Sequence, residues 1–465
     1  MIGCGGSLPA VIKSRLVIVT GVVALVVAAC TNSAENTTST TESPSTTQST
    51  TTTLPDETTT TTLEAIEVPG SASASLDPVV VERIQRELIE LMAEAEEVRG
   101  LPFLSVPTVV ILDEAEFTER VAGLIAEDLV EEDLAIDSAY LALLGMVPEG
   151  TDLYGLFIDL YSEQVAGFYD GDALEMVVPA SPDGFTPLQR ITVLHELVHA
   201  LTDQHFDFSD EYDTLIDEGN GDDTSAYLAL IEGDAQRASF VYLEGLSPLE
   251  AVQAATEAFR IESPVFDSVP AWMRSDLLFP YQQGLDFTDA VIGIGGLASV
   301  DRAYTDRPTT TEQILDHGKY LSREGPRELP ALTTQPAGWE VYEEGSFGEW
   351  GLRLVLGESL SPGDATQAAA GWGNDNYAVY SRGQDVAVVI HYIGDAERDA
   401  EELADAFIVH GRNAMAGGAA VESGGGLLYD QGDKYIFIDR VEDELFFIAA
   451  TDKAVGAELR LQLGL

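Results

Sequence analysis

Positive charge is scarce in this 465-residue chain: 23 Lys and Arg stand against 80 Asp and Glu, for a formal net charge of −57. Only four lysines occur, Lys13, Lys319, Lys434 and Lys453. Phosphate binding needs a cationic surface, so nucleic acid is excluded as a partner. Cysteine is almost missing too. The two present, Cys4 and Cys30, both fall in the first 30 residues, so no disulfide framework braces the body of the chain. The apolar run Leu16–Ala29 has 14 residues, short of the roughly 20 that a bilayer-spanning helix needs. There is no internal repeat. Hydrophobic residues nevertheless make up 45%, enough to build a packed core and to exclude global disorder.

The first 30 residues read as an export signal, with Lys13 and Arg15 forming a positive start before the apolar run. That run ends Val27-Ala28-Ala29-Cys30, which resembles the bacterial lipobox, in which a cysteine after small residues is lipidated and becomes residue one. Lipidation at Cys30 implies an extracytoplasmic protein held to a membrane by its lipid. From Thr31 to Leu63 the chain is dominated by Thr and Ser, with almost nothing apolar. Such a segment buries too little surface to offset its chain entropy, and the tether is expected to span 31–75. A coil of about 33 residues reaches about 30–35 Å.

Folded periodicity begins near Leu76. Val80, Ile84, Leu88, Leu91 and Met92 fall at helical spacing and predict an amphipathic helix to about Val98. Phe103–Leu112 reads as a strand, and two or three helices follow between Glu114 and Glu163. The stretches 164–169 and 173–178 flank Asp170-Gly171 and predict a hairpin with positive φ in its turn. Helices are expected over 187–205 and 224–243, separated by an acidic loop from Asp207 to Asp223. After Trp339 helices alternate with strands at 377–381, 386–392, 435–440 and 445–450. Two domains are therefore expected, at 76–335 and 336–465.

His195-Glu196-Leu197-Val198-His199 is an H-E-x-x-H motif. On a helix, residues i and i+4 lie about 40° apart, so His195 and His199 project side by side and can share one metal ion. Glu196 is close enough to act on a water at that site. Leu194, Leu197, Val198 and Leu201 form the core side of the same helix.

A catalytic zinc needs a third protein ligand, and two residues compete for the place. His205 lies six residues after His199, but Thr202 stands where a chain-turning glycine would bring His205 back. Glu232, in Ala229-Leu-Ile-Glu-Gly-Asp-Ala235 on the next helix, is a carboxylate among apolar residues that is costly to bury without a cation. The residues favour Glu232. Asp203, four residues after His199, and Asp234, two after Glu232, are candidates to accept the second ring N–H of a ligand histidine, and a solvated helix face is the competing reading for both. The acidic run from Asp207 to Asp223 has no EF-hand spacing and is expected to be a solvated loop.

His195-Glu-Leu-Val-His-Ala-Leu-Thr-Asp-Gln-His-Phe206, followed by Leu-Ile-Glu-Gly-Asp-Ala235, resembles a family of bacterial zinc metallopeptidases of gluzincin type. Pro308-Thr-Thr-Thr-Glu-Gln-Ile-Leu315 and Ala370-Gly-Trp-Gly-Asn-Asp-Asn-Tyr377 are also similar to that family, so the resemblance runs from about Leu76 to the C-terminus. One departure is that Asp316-His317 stands where the family has His-Pro, which leaves His317 without a role. The resemblance implies zinc held by His195, His199 and Glu232, with Glu196 catalytic. Its reaction class is peptide hydrolysis, with a peptide or protein as substrate. The expected fold is α+β: a mainly helical, zincin-like core with a small mixed sheet, and a smaller C-terminal α/β domain. The hairpin before the metal helix is where such a core pairs with extended substrate. Tyr304, Tyr320 and His205 are candidates to stabilise the oxyanion. The competing function is a surface binding or assembly lipoprotein that keeps zinc without turnover.

Overall fold

The computed structural model describes residues 68–163, 167–261, 263–414, 418–432 and 434–465; the expected export signal, Cys30 and the expected Thr/Ser tether up to residue 67 lie outside the described residues. Among these residues the chain forms 17 helices and 11 strands in two sheets, an α+β protein. No described helix is long and apolar enough to cross a membrane.

The first sheet is built from β1 (Gly70–Ala72) and, after the helix α1 (Pro78–Arg99), β2 (Thr108–Leu112). Three helices follow, α2 (Glu114–Asp128), α3 (Glu131–Leu143) and α4 (Leu153–Glu163), and then β3 (Phe168–Asp170) and β4 (Glu175–Pro179). The strand order is β1-β2-β4-β3, with β1, β2 and β4 parallel and β3 antiparallel at the edge. α1 forms where its spacing predicts. Asp77 caps it by accepting from the Val79 N–H, Pro78 opens its first turn, and left-handed Gly100 ends it. Its buried face is Ile84, Leu88, Leu91, Met92 and Ala95.

Three local expectations for this first part of the chain differ from the structure. The tether was expected to run to residue 75, but β1 pairs with β2, with Val109 N donating to Pro69 O at 2.8 Å. Main-chain bonding of small residues leaves no hydrophobic pattern to read. Gly70 is required there, because a Cβ would lie 1.7 Å from Val109 O. The second strand is confined to 108–112, because the Phe103 and Leu104 N–H groups donate to the Glu96 and Gln204 side chains instead of a ladder. In the β3–β4 hairpin the positive φ falls on Leu174, at 53°; of the expected first strand, residues 164–166 lie outside the described residues.

The central helices are α5 (Pro187–Phe206), α6 (Phe208–Glu218), α7 (Gly221–Gly245), α8 (Pro248–Arg260), α9 (Pro264–Ser268), α10 (Ala271–Gly295), α11 (Leu297–Thr305), α12 (Thr311–Leu315) and α13 (His317–Ser322). α5 starts with a reciprocal capping box between Thr186 and Gln189 and with Pro187 in its first turn. The expected acidic loop is mostly the helix α6. Phe208, Tyr212 and Leu215 recur at i, i+4 and i+7 and are buried, a period that outweighs the surrounding charge. α7 and α10 cross with their backbones almost touching: a Cβ on Gly233 would lie 2.1 Å from Gly284 O, and one on Gly284 would lie 2.0 Å from Ala229 O.

The C-terminal part comprises β5 (Glu340–Gly345), α14 (Gly348–Gly357), α15 (Pro362–Ala369), β6 (Trp372–Arg382), β7 (Asp385–Gly394), α16 (Glu397–Ala414), β8 (Val421–Ser423), β9 (Gly426–Gln431), β10 (Lys434–Val441), β11 (Glu444–Ala450) and α17 (Lys453–Leu463). Its strands form one antiparallel sheet in the order β5-β6-β7-β11-β10-β9-β8. Phe407 of α16 packs against Phe447 on one face, while Val455 and Leu459 of α17 join the cluster of Tyr435 and Phe437 on the other. One apolar cluster joins Phe117, Tyr140 and Phe157 of α2–α4 to Val388, Phe407 and Phe447, so the two parts share a core.

A buried polar junction locks α7 to the C-terminal part. Asp222, in the first turn of α7, accepts from the Thr311 N–H at 3.0 Å and from its hydroxyl. Gly348, at φ 65°, presses so close that a Cβ would overlap the Asp222 carboxylate. Asp375 accepts from the Phe347 N–H (2.8 Å), the Gly348 N–H (3.0 Å) and the Trp372 indole (2.7 Å). Asp222 belongs to the run expected to be solvated, yet it is 2% exposed. Burial, with the neighbouring Asp375 and Asp223 charges adding to it, lifts its carboxyl to about 7 against the hydrogen bonds from Thr311. An acid whose folded-state pKa is raised favours folding while protonated and loses that contribution as pH rises through the folded value. That loss is spread between the ordinary carboxylate range at about 4 and the folded value of about 7, so the melting temperature should fall as pH climbs from about 4.5 to about 7, and Asp222→Asn should flatten part of that fall. Thermal melts of both proteins across this range check it, and equal slopes would refute it.

Candidate metal centre

α5 carries His195, Glu196 and His199 with its register set at both ends, by the capping box and by Asp207 in the left-handed conformation at φ 53°. The one-turn spacing puts the two imidazoles edge to face, with ring centroids 4.6 Å apart. α7 brings Glu232 to the same point. Its Oε2 lies 3.0 Å from His195 Nε2 and 3.5 Å from His199 Nε2. One donor atom from each of the three residues falls within 4.8 Å of the other two, and all three side chains are buried. Glu196 is fully buried beside them and accepts from the Tyr169 N–H of β3 at 2.8 Å.

The donors suit a divalent cation. Burial pushes the His195 ring down to about 4, so it is neutral at physiological pH and offers a lone pair. Burial alone would lift the Glu232 carboxyl, but the His199 and His195 rings beside it win and hold it down at about 2. Among the described residues neither buried ring nitrogen of His199 has a hydrogen-bond partner, a costly arrangement that a metal bond at Nε2 would partly relieve. Two imidazoles and a carboxylate form a three-ligand set of the kind that binds a divalent transition metal. The group could thus hold a metal ion.

The flanking carboxylates have other partners than a histidine. Asp203 accepts from the Tyr169 hydroxyl (2.7 Å) and from Ser209 through its N–H (3.0 Å) and hydroxyl (2.8 Å). Asp234 pairs with Arg99 at 2.8 Å and accepts from the Tyr304 hydroxyl at 3.1 Å. Neither lies on a solvated face: both are 5% exposed or less. The group near His195 Nδ1 is the Ser239 hydroxyl, at 3.4 Å.

None of the three oxyanion candidates is bonded within the centre. The Tyr304 ring stacks on Phe206, the Tyr320 hydroxyl donates to Asp306 O, and His205 Nε2 lies 2.8 Å from Pro102 O. His205 is thus turned away from the metal ligands, as a continuous helix requires. His317 packs against Phe287. The tyrosine that does reach the centre is Tyr281 of α10, whose hydroxyl donates to Glu232 Oε1 at 3.2 Å. Burial and the Glu232 and Glu196 charges push its pKa well above the usual phenol value, so it remains a donor. Tyr281 and Arg99 belong to no motif. Only their contacts across helices reveal them.

A family model for a domain of unknown function, DUF8575, matches residues 339–460, which span the seven-stranded sheet and leave the metal centre outside. No curated protein matches the chain. Among solved structures the chain is similar to one from Chloroflexus aurantiacus described as a candidate hydrolase with a novel fold. The identity is 17% and the TM-score 0.34, with 54% of this chain and 92% of that one covered. A likeness this faint carries no argument about function.

Arg99 is 1% exposed and bonds Asp234 and Asp301, each at 2.8 Å, tying the end of α1 to α7 and α11. Removing one partner of a buried pair strands the other charge. Arg99→Leu should therefore cost about 3–5 kcal/mol of unfolding free energy. Urea titration checks this, and a loss below about 1 kcal/mol would show the network to be dispensable.

Proposed function

We propose that this protein is a zinc-dependent hydrolase that cleaves peptide bonds outside the cytoplasm, tethered to a membrane through lipidated Cys30. The observation that carries the reading is the convergence of His195, His199 and Glu232 within 4.8 Å, with Glu196 buried beside them. The resemblance of 195–206 and 230–235 to gluzincin-type peptidases supports the same reading. Zinc, when bound, supplies Lewis acidity that polarises a scissile carbonyl and draws the pKa of water toward neutrality. His195 and His199 hold it as neutral imidazoles, and Glu232 adds one negative charge. Glu196 is the general base that takes a proton from the attacking water and passes it to the leaving amine nitrogen. The Tyr169 N–H steadies its Oε2 for that task.

A second reading, a structural zinc in a surface binding protein, is favoured by one observation: His195, Glu196 and His199 are all fully buried. Two variants separate these readings. Under the peptidase reading, Glu196→Gln retains stoichiometric zinc and lowers peptide-library cleavage by at least about 100-fold, the scale expected of a general base, while His199→Ala loses zinc and activity together. Zinc-dependent melting in a wild-type protein that cleaves nothing would establish the structural role.

A further inference from the structure

We infer that Tyr281 is a positioning residue for the metal centre, its hydroxyl holding one oxygen of Glu232 so that the carboxylate binds the ion through the other oxygen alone. This rests on the metal reading of His195, His199 and Glu232 above. The two oxygens of Glu232 are divided between different neighbours: Oε2 faces both imidazoles, at 3.0 and 3.5 Å, and Oε1 takes the Tyr281 hydroxyl at 3.2 Å. A carboxylate with a free second oxygen can rotate and chelate, filling two positions around a small ion. Tied by a phenol it supplies one, which leaves the fourth position of a tetrahedral site open.

The tie is built into the backbone. Gly233 directly follows Glu232, and Gly284 lies one helical turn after Tyr281. At that crossing a Cβ on either glycine would fall 2.0–2.1 Å from a backbone oxygen of the facing helix. The close approach of α7 and α10 brings the phenol to the carboxylate, and the Tyr281 ring is buried with its centroid 6.1 Å from that of His195. A group that orients a metal ligand typically accounts for about 10–100-fold in metal affinity.

The test is metal binding by Tyr281→Phe in the full chain, with zinc affinity from competition against a chromophoric chelator and coordination from the visible spectrum of the cobalt-loaded protein. The expected result is zinc affinity about 10–100-fold weaker than wild type. The cobalt bands should also lose intensity, as they do when coordination rises above four. Gly284→Ala, which pushes the helices apart, should move both readouts the same way. Tyr212→Phe, at a buried tyrosine near the Glu232 charge, should move neither. Wild-type affinity and spectrum in a folded Tyr281→Phe protein would overturn the inference. A wild-type protein that takes up neither zinc nor cobalt would instead defeat the metal reading beneath it.

Discussion

A carboxylate is expensive to bury, and Glu232 is buried against two imidazoles that are themselves shielded from water. The packing around it is arranged to make that tolerable. α5 must present His195 and His199 on one face, α7 must bring Glu232 within 3.0–3.5 Å of them, and α10 must approach closely enough to satisfy its other oxygen. The glycine contact between α7 and α10 permits the last of these. The first sheet contributes through its antiparallel edge, where Tyr169 gives its N–H to Glu196 and its hydroxyl to Asp203.

Around this point the molecule handles its negative charge in two distinct ways. Exposed acids are left to solvent, consistent with a chain in which Asp and Glu outnumber Lys and Arg 80 to 23. Buried acids each receive a defined set of donors: Arg99 and Tyr304 for Asp234, Ser209 and Tyr169 for Asp203, Thr311 for Asp222, and main-chain N–H groups and an indole for Asp375. These carboxylates fasten α5, α7 and the C-terminal sheet to their neighbours. Hydrogen bonds aimed at a charged acceptor are directional as well as strong, so they set helix register in a way that apolar contact cannot.

The C-terminal part is bound to the part that carries His195, His199 and Glu232 by a shared apolar cluster as well as by the Asp222 junction. α2–α4 leave the first sheet between β2 and β3 and pack into the core of the seven-stranded sheet.

Periodicity and motif are enough to read α1, the histidine-bearing helix α5 and four of the C-terminal strands, because each carries its own repeat of apolar residues or its own spacing of histidines. The i, i+4 geometry that places His195 beside His199 is a local property of any helix, and Glu232 is marked locally as a glutamate flanked by apolar residues and glycine. Other features had no such local signal. β1 is three small residues held by main-chain bonds, α6 hides its apolar period inside an acidic run, and Asp222 looks like every other acid around it. By spacing alone Asp203 and Asp234 read as histidine partners or solvent-facing groups, whereas their neighbours, Tyr169, Ser209, Arg99 and Tyr304, come from segments as many as 135 residues away. Residue type and spacing along one helix determined which groups face a common side. Which groups meet them from the other side, Tyr281 above all, was decided only by how the helices cross, since a hydrogen bond between distant segments leaves no period in either one.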